Sequence, residues 1–579
     1  MSPRRAALGR RVGAVGGRGR FRTVTPLFER GPEVGVGRGS GNAASGEIVL
    51  ADFGPQGARI LRSLGRADRA ADIVAALIDD AGLRRGFGRA VENEARDSAL
   101  RAAEGADRRT DLTTLPTFTV DPATARDFDD AVSAEREGDG VVLRVHIADV
   151  AAHVRPGSRL DGVASQRATS VYVPGTVEPM LPPLLSDEAC SLAPGVERLA
   201  VTTEMHLDAR ARVKTVSFAR TRIRSDERLD YDQLDRVFAG SESAPASVAM
   251  PLEMAREVAA ALAQGRRGAA LEIDSAEPEF VFDSEGNVTS AHSVPQTEAH
   301  RLIEQLMVRS NELVAAHCEQ RKVKTLYRVH DQPDPARIER LIEQLASLDI
   351  PTPPLPAKLA RTDAGRLAAE ASRLVSREAE RRGHGRNAYT SLVLRSLKQA
   401  FYTPRNLGHA GLGSPAYCHF TSPIRRYPDL IAHRALLSTL GLGETEPDGG
   451  EVSEAGWHCS EREREAMGIE RSADRACAAF LLGRELFEAG WGARFDGEVS
   501  GVISAGAFVR FRGELADVYE GFLPARRMPG DRFHLNEPET ALVGRRTGTT
   551  LRLGDPVTVT VDSIEAPRGR VDLVPVPLS

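Results

Sequence analysis

The sequence predicts a multidomain α+β protein in which a large mixed α/β region lies between small β domains. The first observation is size, because 579 residues of which 41% are hydrophobic correspond to roughly three to five domains of about 100–200 residues each. The second is a change of periodicity along the chain. Helical and strand-like segments alternate up to residue 487, whereas residues 488–579 contain short alternating strands throughout.

Composition argues against several classes of protein. No run of about 18 apolar residues occurs, so a membrane span is not expected. Residues 1–40 contain no apolar stretch of the length that a signal peptide needs. The five cysteines are scattered and form no C-x-x-C motif, which argues against a disulfide framework or zinc ribbon and favours a reducing cytoplasm. The net charge of −5 neither favours nor excludes a nucleic-acid partner, because local patches decide phosphate binding.

The chain before the C-terminal strands divides into three predicted parts. Residues 1–43 are rich in Arg and Gly and show no clear periodicity, which predicts a flexible segment; a basic arm for RNA, a transit peptide and a start codon placed too early are the alternatives. Residues 44–110 alternate around a Gly-Pro turn and then become helical, which predicts a reduced β unit and a helical connector. Residues 111–487 are predicted to form one mixed α/β domain, with its clearest helical segments at 251–264, 298–321 and 365–401.

The C-terminal part, residues 488–579, contains five short alternating strands separated by turn residues. That spacing predicts a small β-barrel of the OB type. Aromatic side chains in such a barrel either stack on nucleic-acid bases or fill its interior. The candidates are Phe508, Phe511, Tyr519, Phe522 and Phe533.

The motif D-P-A-T-A-R-D-F-D-D-A carries four carboxylates within ten residues, at Asp121, Asp127, Asp129 and Asp130. Carboxylates this close repel one another and are costly to bury without a cation. Oxygen ligands suit Mg²⁺, and two such ions can support phosphodiester cleavage. A solvated acidic loop is the alternative, whereas the spacing does not match a calcium EF-hand. The nearby His146 and His153 are expected to be structural.

A second motif, H-F-T-S-P-I-R-R-Y-P-D-L at residues 419–430, places Arg425 and Arg426 after a Ser-Pro turn. Guanidinium groups held by a rigid turn suit phosphate binding and the stabilisation of charge on a transferring phosphoryl group. An isolated Arg pair fits a surface salt bridge equally well. Together with the carboxylates, however, the pair points to phosphodiester chemistry.

In this order the two motifs resemble those of the ribonuclease II / RNB family. The resemblance extends from about residue 112 to 485, and residues 488–579 look like the ribosomal-type OB module that binds RNA. The family's further motifs are matched by HIADVAAH (146–153), YVPGTVEPMLPPLLSDEACSL (172–192), EAHRLIEQLMVRSN (298–311) and CSEREREAMGIERSADR (459–475).

The resemblance implies a mixed α/β RNB catalytic domain flanked by OB-type RNA-binding barrels. It also implies a monomeric cytoplasmic enzyme that uses Mg²⁺, or Mn²⁺, with two ions during catalysis. Such an enzyme hydrolyses single-stranded RNA processively from the 3′ end to nucleoside 5′-monophosphates. A catalytically silent RNA-binding regulator on the same fold is one alternative, and cleavage of DNA or small nucleotides is another.

Carried over motif by motif, the resemblance assigns roles to single residues. Asp121 and Asp130 would be direct Mg²⁺ ligands, with Asp127 completing the metal site. Asp129 would lie near the second ion or the attacking water. Arg425 would hold the scissile phosphate, with Arg426 beside it. The expected contacts to RNA are Tyr172 for base stacking, Tyr231 for the 3′ nucleotide, Glu304 for ribose and Glu470 near the 3′ end.

Each of these substrate contacts also has an ordinary structural reading, as half-buried packing for the tyrosines and as helix-surface charge for the glutamates. The sequence departs from the family in two places. No aromatic follows the segment 271–274 until Phe280, although the family commonly has one there that faces the stacking tyrosine. The N-terminal region is also too short for the family's two cold-shock-type OB domains.

Overall fold

A computed structural model describes residues 9–17, 21–37, 41–55, 57–83, 85–104, 109–268, 270–271, 277–441 and 444–576. The strands are β1 Gly9–Gly16, β2 Thr23–Pro26, β3 Val34–Gly35, β4 Glu47–Gly54, β5 Gly57–Arg66, β6 Thr110–Asp111, β7 Phe118–Asp121, β8 Asp130–Glu137, β9 Gly140–Ala148, β10 Val171–Val173, β11 Thr176–Glu178, β12 Glu197–Leu207, β13 Val213–Arg224, β14 Glu227–Asp230, β15 Glu277–Phe282, β16 Val288–Val294, β17 Tyr327–Val329, β18 Phe401–Thr403, β19 Phe495–Ile503, β20 Gly506–Phe511, β21 Tyr519–Pro524, β22 Phe533–Leu535, β23 Ala541–Gly544, β24 Thr550–Arg552, β25 Pro556–Glu565 and β26 Arg570–Pro575.

The α-helices are α1 Ala70–Asp80, α2 Arg89–Glu104, α3 Val150–His153, α4 Arg159–Arg167, α5 Tyr231–Phe238, α6 Ala249–Arg266, α7 Glu298–Arg321, α8 Pro335–Ser347, α9 Arg361–Arg382, α10 Arg386–Ser396, α11 Tyr427–Thr439 and α12 Gly449–Ala489. A π-helix covers Leu184–Ala189, and short 3₁₀ turns cover Ala410–Leu412, Ala525–Arg527 and Ala566–Arg568. None of the helices in the described ranges is both long and apolar enough to cross a bilayer.

The N-terminal strands form one small barrel. Their order is β3-β2-β1-β4-β5, and Val36 bridges to Ala58 beside the hydrogen bond from Gly37 N–H to the Ala58 carbonyl at 2.9 Å. This bridge brings the end of β3 to β5 and gives the strand order of an OB-type barrel. The prediction that residues 1–43 are flexible is therefore wrong for the described part of that segment, and the boundary at residue 44 falls inside the barrel.

Glycine misled the sequence prediction for a physical reason. A β-carbon on Gly13 would overlap the Val24 side chain, so glycine at this position allows two strands to approach closely. The flanking Val12 and Val15 are buried, but glycines interrupt the alternation that would have indicated a strand.

The central domain is built on a seven-stranded sheet of order β14-β7-β8-β9-β12-β13-β6. Its strand β9 reads GVVLRVHIA and is buried along nearly its whole length, as β-branched residues in the middle of a covered sheet should be. Helices α6, α7 and α11 pack into the same hydrophobic core. The end of β7 and the beginning of β8 consequently lie side by side, with the parallel strand β14 on the other flank of β7.

The predicted helical segments are largely observed. Helix α7 has the predicted bounds, and α6 contains the predicted segment 251–264. The segment 365–401 is divided into α9 and α10, because Gly383 and Gly385 adopt left-handed conformations with φ of 75° and 83°. Residues without a β-carbon end one helix there and start the next.

The C-terminal strands close into the predicted barrel, in the order β19-β20-β21-β26-β25. Phe511 and Tyr519 are buried, and the Tyr519 hydroxyl donates to Glu485 of α12 at 2.8 Å, so both rings serve packing. Phe508 is more exposed and lies beside Phe522, with ring centroids 5.2 Å apart. The barrel thus divides the candidate aromatic residues between its interior and its surface.

The two barrels meet across the long helix α12, which packs with α1 and the C-terminal barrel in one hydrophobic cluster. Arg568 joins them directly, because its guanidinium donates to the carbonyl oxygens of Pro26 at 2.9 Å and Glu29 at 3.2 Å, and to that of Leu27. Between the barrels lies a cavity of about 1390 Å³.

We expect Gly13→Val to destabilise the N-terminal barrel by about 1–3 kcal/mol, since the added side chain overpacks the contact between β1 and β2. Native-state hydrogen exchange of the β1 and β4 amides measures this loss. The matched control is Gly35→Val in the same barrel, because a β-carbon there meets no atom within 4 Å. Equal protection of these amides in Gly13→Val and Gly35→Val would contradict the close packing of β1 against β2.

Candidate functional site

The four aspartates gather where three strands of the central sheet meet. Asp121 ends β7, Asp130 begins β8, and β14 pairs its last residue, Asp230, with Asp121. The loop between them is anchored at its far end, because Phe128 N–H donates to Ser191 Oγ at 3.1 Å and the Asp129 carbonyl accepts from Ala148 N–H at 2.9 Å. The sequence places these carboxylates in one segment, and the sheet fixes their spacing.

The arginine motif reaches the same place from 295 positions further along the chain. Ile424 N–H donates to Asp129 Oδ1 at 2.9 Å, and Arg425 Nε lies 3.5 Å from Asp129 Oδ2. The Arg425 side chain is 44% exposed, so its guanidinium remains accessible from the solvent side. The structure therefore brings the two predicted motifs together in a single site.

The second arginine of the motif has a different environment. Arg426 makes two hydrogen bonds to the buried carboxylate of Asp429, at 2.9 and 2.8 Å. Asp429 also accepts Ser422 N–H at 2.8 Å, which fixes the turn that carries Arg425. We therefore revise the expected role of Arg426 from phosphate contact to support of this turn. Asp429, which the sequence analysis missed, is recognisable only as the acid three residues after Arg426.

Burial shifts the acid–base properties of the cluster. It raises the pKa of Asp121 to about 8, with the charges of Asp130 and Asp127 adding to the effect. It also raises the pKa of Asp130 to about 6, against the opposing charge of Arg425. The pKa of Asp129 lies well above its ordinary value, again chiefly because of burial. Carboxylates with such shifts lack the positive charge that would stabilise their ionised form.

The donor set fits a hard divalent cation. Asp121 Oδ2 and Asp129 Oδ2 are buried and accept no hydrogen bond from the described residues, which leaves lone pairs directed into the site. Across the described ranges, however, no three His, Cys, Asp or Glu side chains form a ready-made metal site. Mg²⁺ commonly binds one or two carboxylates and completes its shell with water and substrate phosphate, so a partial set of protein ligands suits it.

Tyr172 borders the aspartates from the hairpin of β10 and β11. Its hydroxyl donates to Asp127 Oδ2 at 3.0 Å, and its side chain is among the exposed large rings of the protein. Its backbone N–H donates to Glu470 Oε1 of α12 at 3.0 Å. Two residues predicted as separate RNA contacts are thus linked to each other, and one of them also contacts a predicted metal ligand.

Tyr231 follows β14 and begins α5, on the other side of Asp121. Its ring stacks on His300 of α7 at a centroid distance of 3.9 Å. Glu304 is exposed one helical turn further along α7. Helix α7 therefore places His300 and Glu304 along one face. The sequence analysis did not identify His300, although its spacing of four residues from Glu304 on a predicted helix was available as a signal.

The histidines near the acidic motif do not extend the site. His146 is buried, and its ring nitrogens lie 2.9 Å from Ser133 Oγ and 2.8 Å from Thr202 Oγ1. His153 is also buried, and burial lowers its pKa to about 4. Residues 272–276, which hold most of the segment expected to face Tyr172, lie outside the described residues.

The cavity between the barrels is lined by both arginines and aromatic rings. Phe508 and Phe522 come from the C-terminal barrel, Phe533 comes from β22 in a separate small sheet, and Phe28 follows β2 of the N-terminal barrel. The arginines that line it are Arg30, Arg475, Arg526, Arg532, Arg545, Arg568 and Arg570. Guanidinium groups interleaved with aromatic rings suit a single-stranded nucleic acid, which offers phosphates and stacking faces.

We expect Arg426→Gln to lower the free energy of unfolding by about 3–5 kcal/mol, because it leaves the Asp429 carboxylate buried without its cation. Arg425→Gln is the matched control and should change stability by no more than about 1 kcal/mol, since that side chain is half exposed. Denaturant titration of both variants compares the two values. A similar loss in both would contradict the supporting role of Arg426.

Comparison with known proteins gives concordant results. The family model for the RNB domain matches residues 109–441. Ribonuclease R 1 of Lactococcus lactis is 34% identical over 474 residues, covering 80% of this chain and 56% of that protein. Ribonuclease R of Aquifex aeolicus is 35% identical over 480 residues, covering 80% of this chain and 64% of that protein. The chain thus spans less than two thirds of the length of these relatives.

Solved structures agree along the whole chain. The apo form of Mycoplasma genitalium RNase R has a TM-score of 0.88 at 27% identity, covering 98% of this chain and 90% of that one. The same enzyme in complex with ribose-methylated single-stranded RNA has a TM-score of 0.86 at 26% identity, with the same coverage. Yeast Ssd1, described as a pseudonuclease, shares the fold at 17% identity and a TM-score of 0.67, covering 93% of this chain and 68% of that one.

The family match covers more than half of the chain, and it contains the acidic motif, the arginine motif and the sheet that joins them. This protein belongs to the RNB domain family.

Proposed function

We propose that this protein is a Mg²⁺-dependent hydrolytic exoribonuclease that degrades single-stranded RNA processively from the 3′ end to nucleoside 5′-monophosphates. The observation that carries the proposal is the contact of the two motifs. Ile424 N–H and Arg425 both reach the carboxylate of Asp129, so an exposed phosphate-binding group stands beside buried acids that suit a metal. The RNA complex of the Mycoplasma relative supports RNA as the substrate class.

The aspartates and Arg425 have different roles in the proposed reaction. Asp121 and Asp130 would hold Mg²⁺, or Mn²⁺, with Asp127 and Asp129 completing a site for two ions. When bound, these ions supply an activated water and neutralise charge at the scissile phosphate. Arg425 would bind that phosphate through its accessible guanidinium and stabilise the charge that develops during hydrolysis.

The rest of the site would orient the RNA end. Tyr172 presents an exposed ring beside Asp127 for stacking on a terminal base. Tyr231 at the start of α5 and Glu304 on α7 would recognise a ribose through its 2′-hydroxyl. Glu470 would act at the 3′ end beside Tyr172, whose backbone it contacts. Upstream nucleotides would pass the arginine- and phenylalanine-lined cavity between the barrels.

A catalytically silent RNA-binding regulator is the second candidate. Yeast Ssd1, described as a pseudonuclease, has the same fold. The four carboxylates and their contact with the arginine motif favour the enzyme, because a protein that only binds RNA has no need of several buried acids beside a single half-exposed arginine. We also propose a cytoplasmic location and a monomeric state. The former is supported by cysteines that are all unpaired and buried among the described residues.

We expect Asp129→Asn to abolish RNA cleavage while leaving RNA affinity unchanged, since the substitution removes a charge from the metal site without touching the stacking residues. A gel time course on 5′-labelled single-stranded RNA with Mg²⁺ measures cleavage, and fluorescence anisotropy in EDTA measures binding. The wild type should yield a short limit product without a ladder. An equal loss of binding and turnover would contradict the assigned role.

The same gel decides between the candidates. EDTA should stop cleavage and added Mg²⁺ or Mn²⁺ should restore it, whereas matched DNA should remain intact. Cleavage without metal would contradict the mechanism. Intact RNA that is shifted in a native gel would identify the binding protein, and a duplex with a 3′ overhang would report whether the enzyme opens paired RNA.

We expect Tyr172→Ala to weaken binding of single-stranded RNA by about 1–3 kcal/mol, the usual contribution of one stacked base. Tyr172→Phe is the matched control, because it keeps the ring and loses only the hydrogen bond to Asp127. Anisotropy titrations in EDTA compare the two variants. If phenylalanine weakens binding as much as alanine does, the hydroxyl rather than the ring would be the important group.

A further inference from the structure

The loop that connects Asp121 to Asp127 has little packing of its own. Pro122, Ala123 and Thr124 are exposed, and a cavity of about 500 Å³ lies against this loop. The cavity is lined by Ala125, Arg126, Phe128, Pro183, Asp187, Glu188 and Arg228. Hydrophobic burial and Ser191 fix the far end of the loop, because Phe128 lies in the core and Ser191 Oγ binds the Phe128 N–H and the Arg126 carbonyl. The exposed end at Pro122 and Ala123 needs another contact.

Arg228 supplies that contact. One of its guanidinium nitrogens, Nη2, donates to the carbonyl oxygens of Pro122 at 2.9 Å and Ala123 at 2.7 Å. The centre of the same guanidinium lies 5.3 Å from the centroid of the Phe128 ring. Phe128 is buried and precedes Asp129 directly. A single side chain therefore touches both ends of the loop, next to Asp121 on one side and next to Asp129 on the other.

The position of Arg228 in the sheet makes this contact rigid. It lies on β14 opposite Thr119 of β7, so the strand that carries it is hydrogen-bonded to the strand that ends at Asp121. A planar guanidinium can donate to two carbonyls while its flat face lies over a ring, whereas an ammonium group has no such face and binds as a compact point charge. Tyr231 follows three residues later, so one short strand supports both the acidic loop and a predicted RNA contact.

We propose that Arg228 is the positioning residue of the metal site: it holds the loop 122–128 so that the aspartates on either side keep the spacing that a divalent cation requires. This inference rests on the proposed function, in which those aspartates bind metal. Arg228 touches backbone and a ring rather than the reacting atoms, so its removal should act on metal affinity first and on cleavage through it. Residues that orient metal ligands in this way typically contribute about 10–100-fold in affinity.

The experiment compares the full-length wild type with Arg228→Gln, Arg228→Lys and Arg224→Gln. The last variant is the control for loss of a surface charge, because Arg224 is an exposed residue at the end of β13, which does not pair with β14. Arg228→Lys keeps the positive charge that acts on Asp121. Binding of Mn²⁺ is measured by electron paramagnetic resonance, without RNA. RNA affinity in EDTA, the melting temperature, and kcat and KM as functions of Mg²⁺ concentration are measured on the same preparations.

We expect Arg228→Gln to weaken Mn²⁺ binding by about 10–100-fold and to lower kcat with little change in KM, the loss of kcat shrinking as Mg²⁺ is raised. RNA affinity in EDTA should remain that of the wild type. The Mn²⁺ affinity of Arg228→Lys should lie between those of the wild type and Arg228→Gln, because lysine keeps a cationic donor but has no planar face to place over Phe128. Arg224→Gln should match the wild type in every measurement.

Wild-type Mn²⁺ affinity in Arg228→Gln would overturn the inference, as would an equal loss in Arg224→Gln. Should the glutamine variant fail to fold, the lysine variant decides, and wild-type metal affinity there would also overturn it. The proposed function fails in a different way. A wild-type protein that binds Mn²⁺ but leaves RNA intact would contradict the exoribonuclease while leaving the role of Arg228 in metal binding in place.

Discussion

The site depends on one hydrogen bond, from the backbone of Ile424 to the carboxylate of Asp129. It joins two segments that are distant in sequence and far apart in chemical character, one acidic and one basic. The contact serves the acidic segment in particular, because a buried carboxylate needs a hydrogen-bond donor. The central sheet fixes the acidic partner, and the salt bridge of Arg426 with Asp429 fixes the basic one.

Around this contact, the arginine that supports the turn is mostly buried, and the arginine proposed to bind phosphate is partly exposed. Arg426 and Asp429 neutralise each other inside the protein, whereas Arg425 keeps its guanidinium half exposed beside Asp129. Arg425 and Arg426 are adjacent in one motif but have different roles, because Arg425 is the more accessible of the two. The same division recurs at the end of β14, where Arg228 binds backbone and Tyr231, the first residue of α5, faces the site. Several acids beside one half-exposed arginine are the costly feature of this arrangement. A cluster of acids is also the feature that a metal-dependent hydrolase requires.

Much of this organisation could be read from the sequence, because it is encoded locally. Five alternating strands with turns between them specify the C-terminal barrel, and helix α7 has an uninterrupted helical pattern with its own termini. Of the N-terminal barrel, the sequence predicted only the part after residue 44. The strands β1 to β3 escaped because close approach relies on glycine, as at Gly13, and glycine also signals flexibility. The pairing of Arg426 with Asp429 spans only three residues, but its spacing alone does not reveal that the pair is buried. The contact of Arg228 with Pro122 escaped because it depends on where the chain folds back, which no local pattern records.

The link between the barrels also sets an order of events during synthesis. The N-terminal barrel has a small core of its own and is complete early, yet the guanidinium that ties it to the C-terminal barrel belongs to Arg568, 542 positions after Pro26. During translation the N-terminal barrel can therefore fold well before Arg568 docks it to the C-terminal barrel, because nearly the whole chain has to be synthesised first. The wall of the cavity between the barrels is therefore closed last, after the acidic motif and the central sheet have been synthesised.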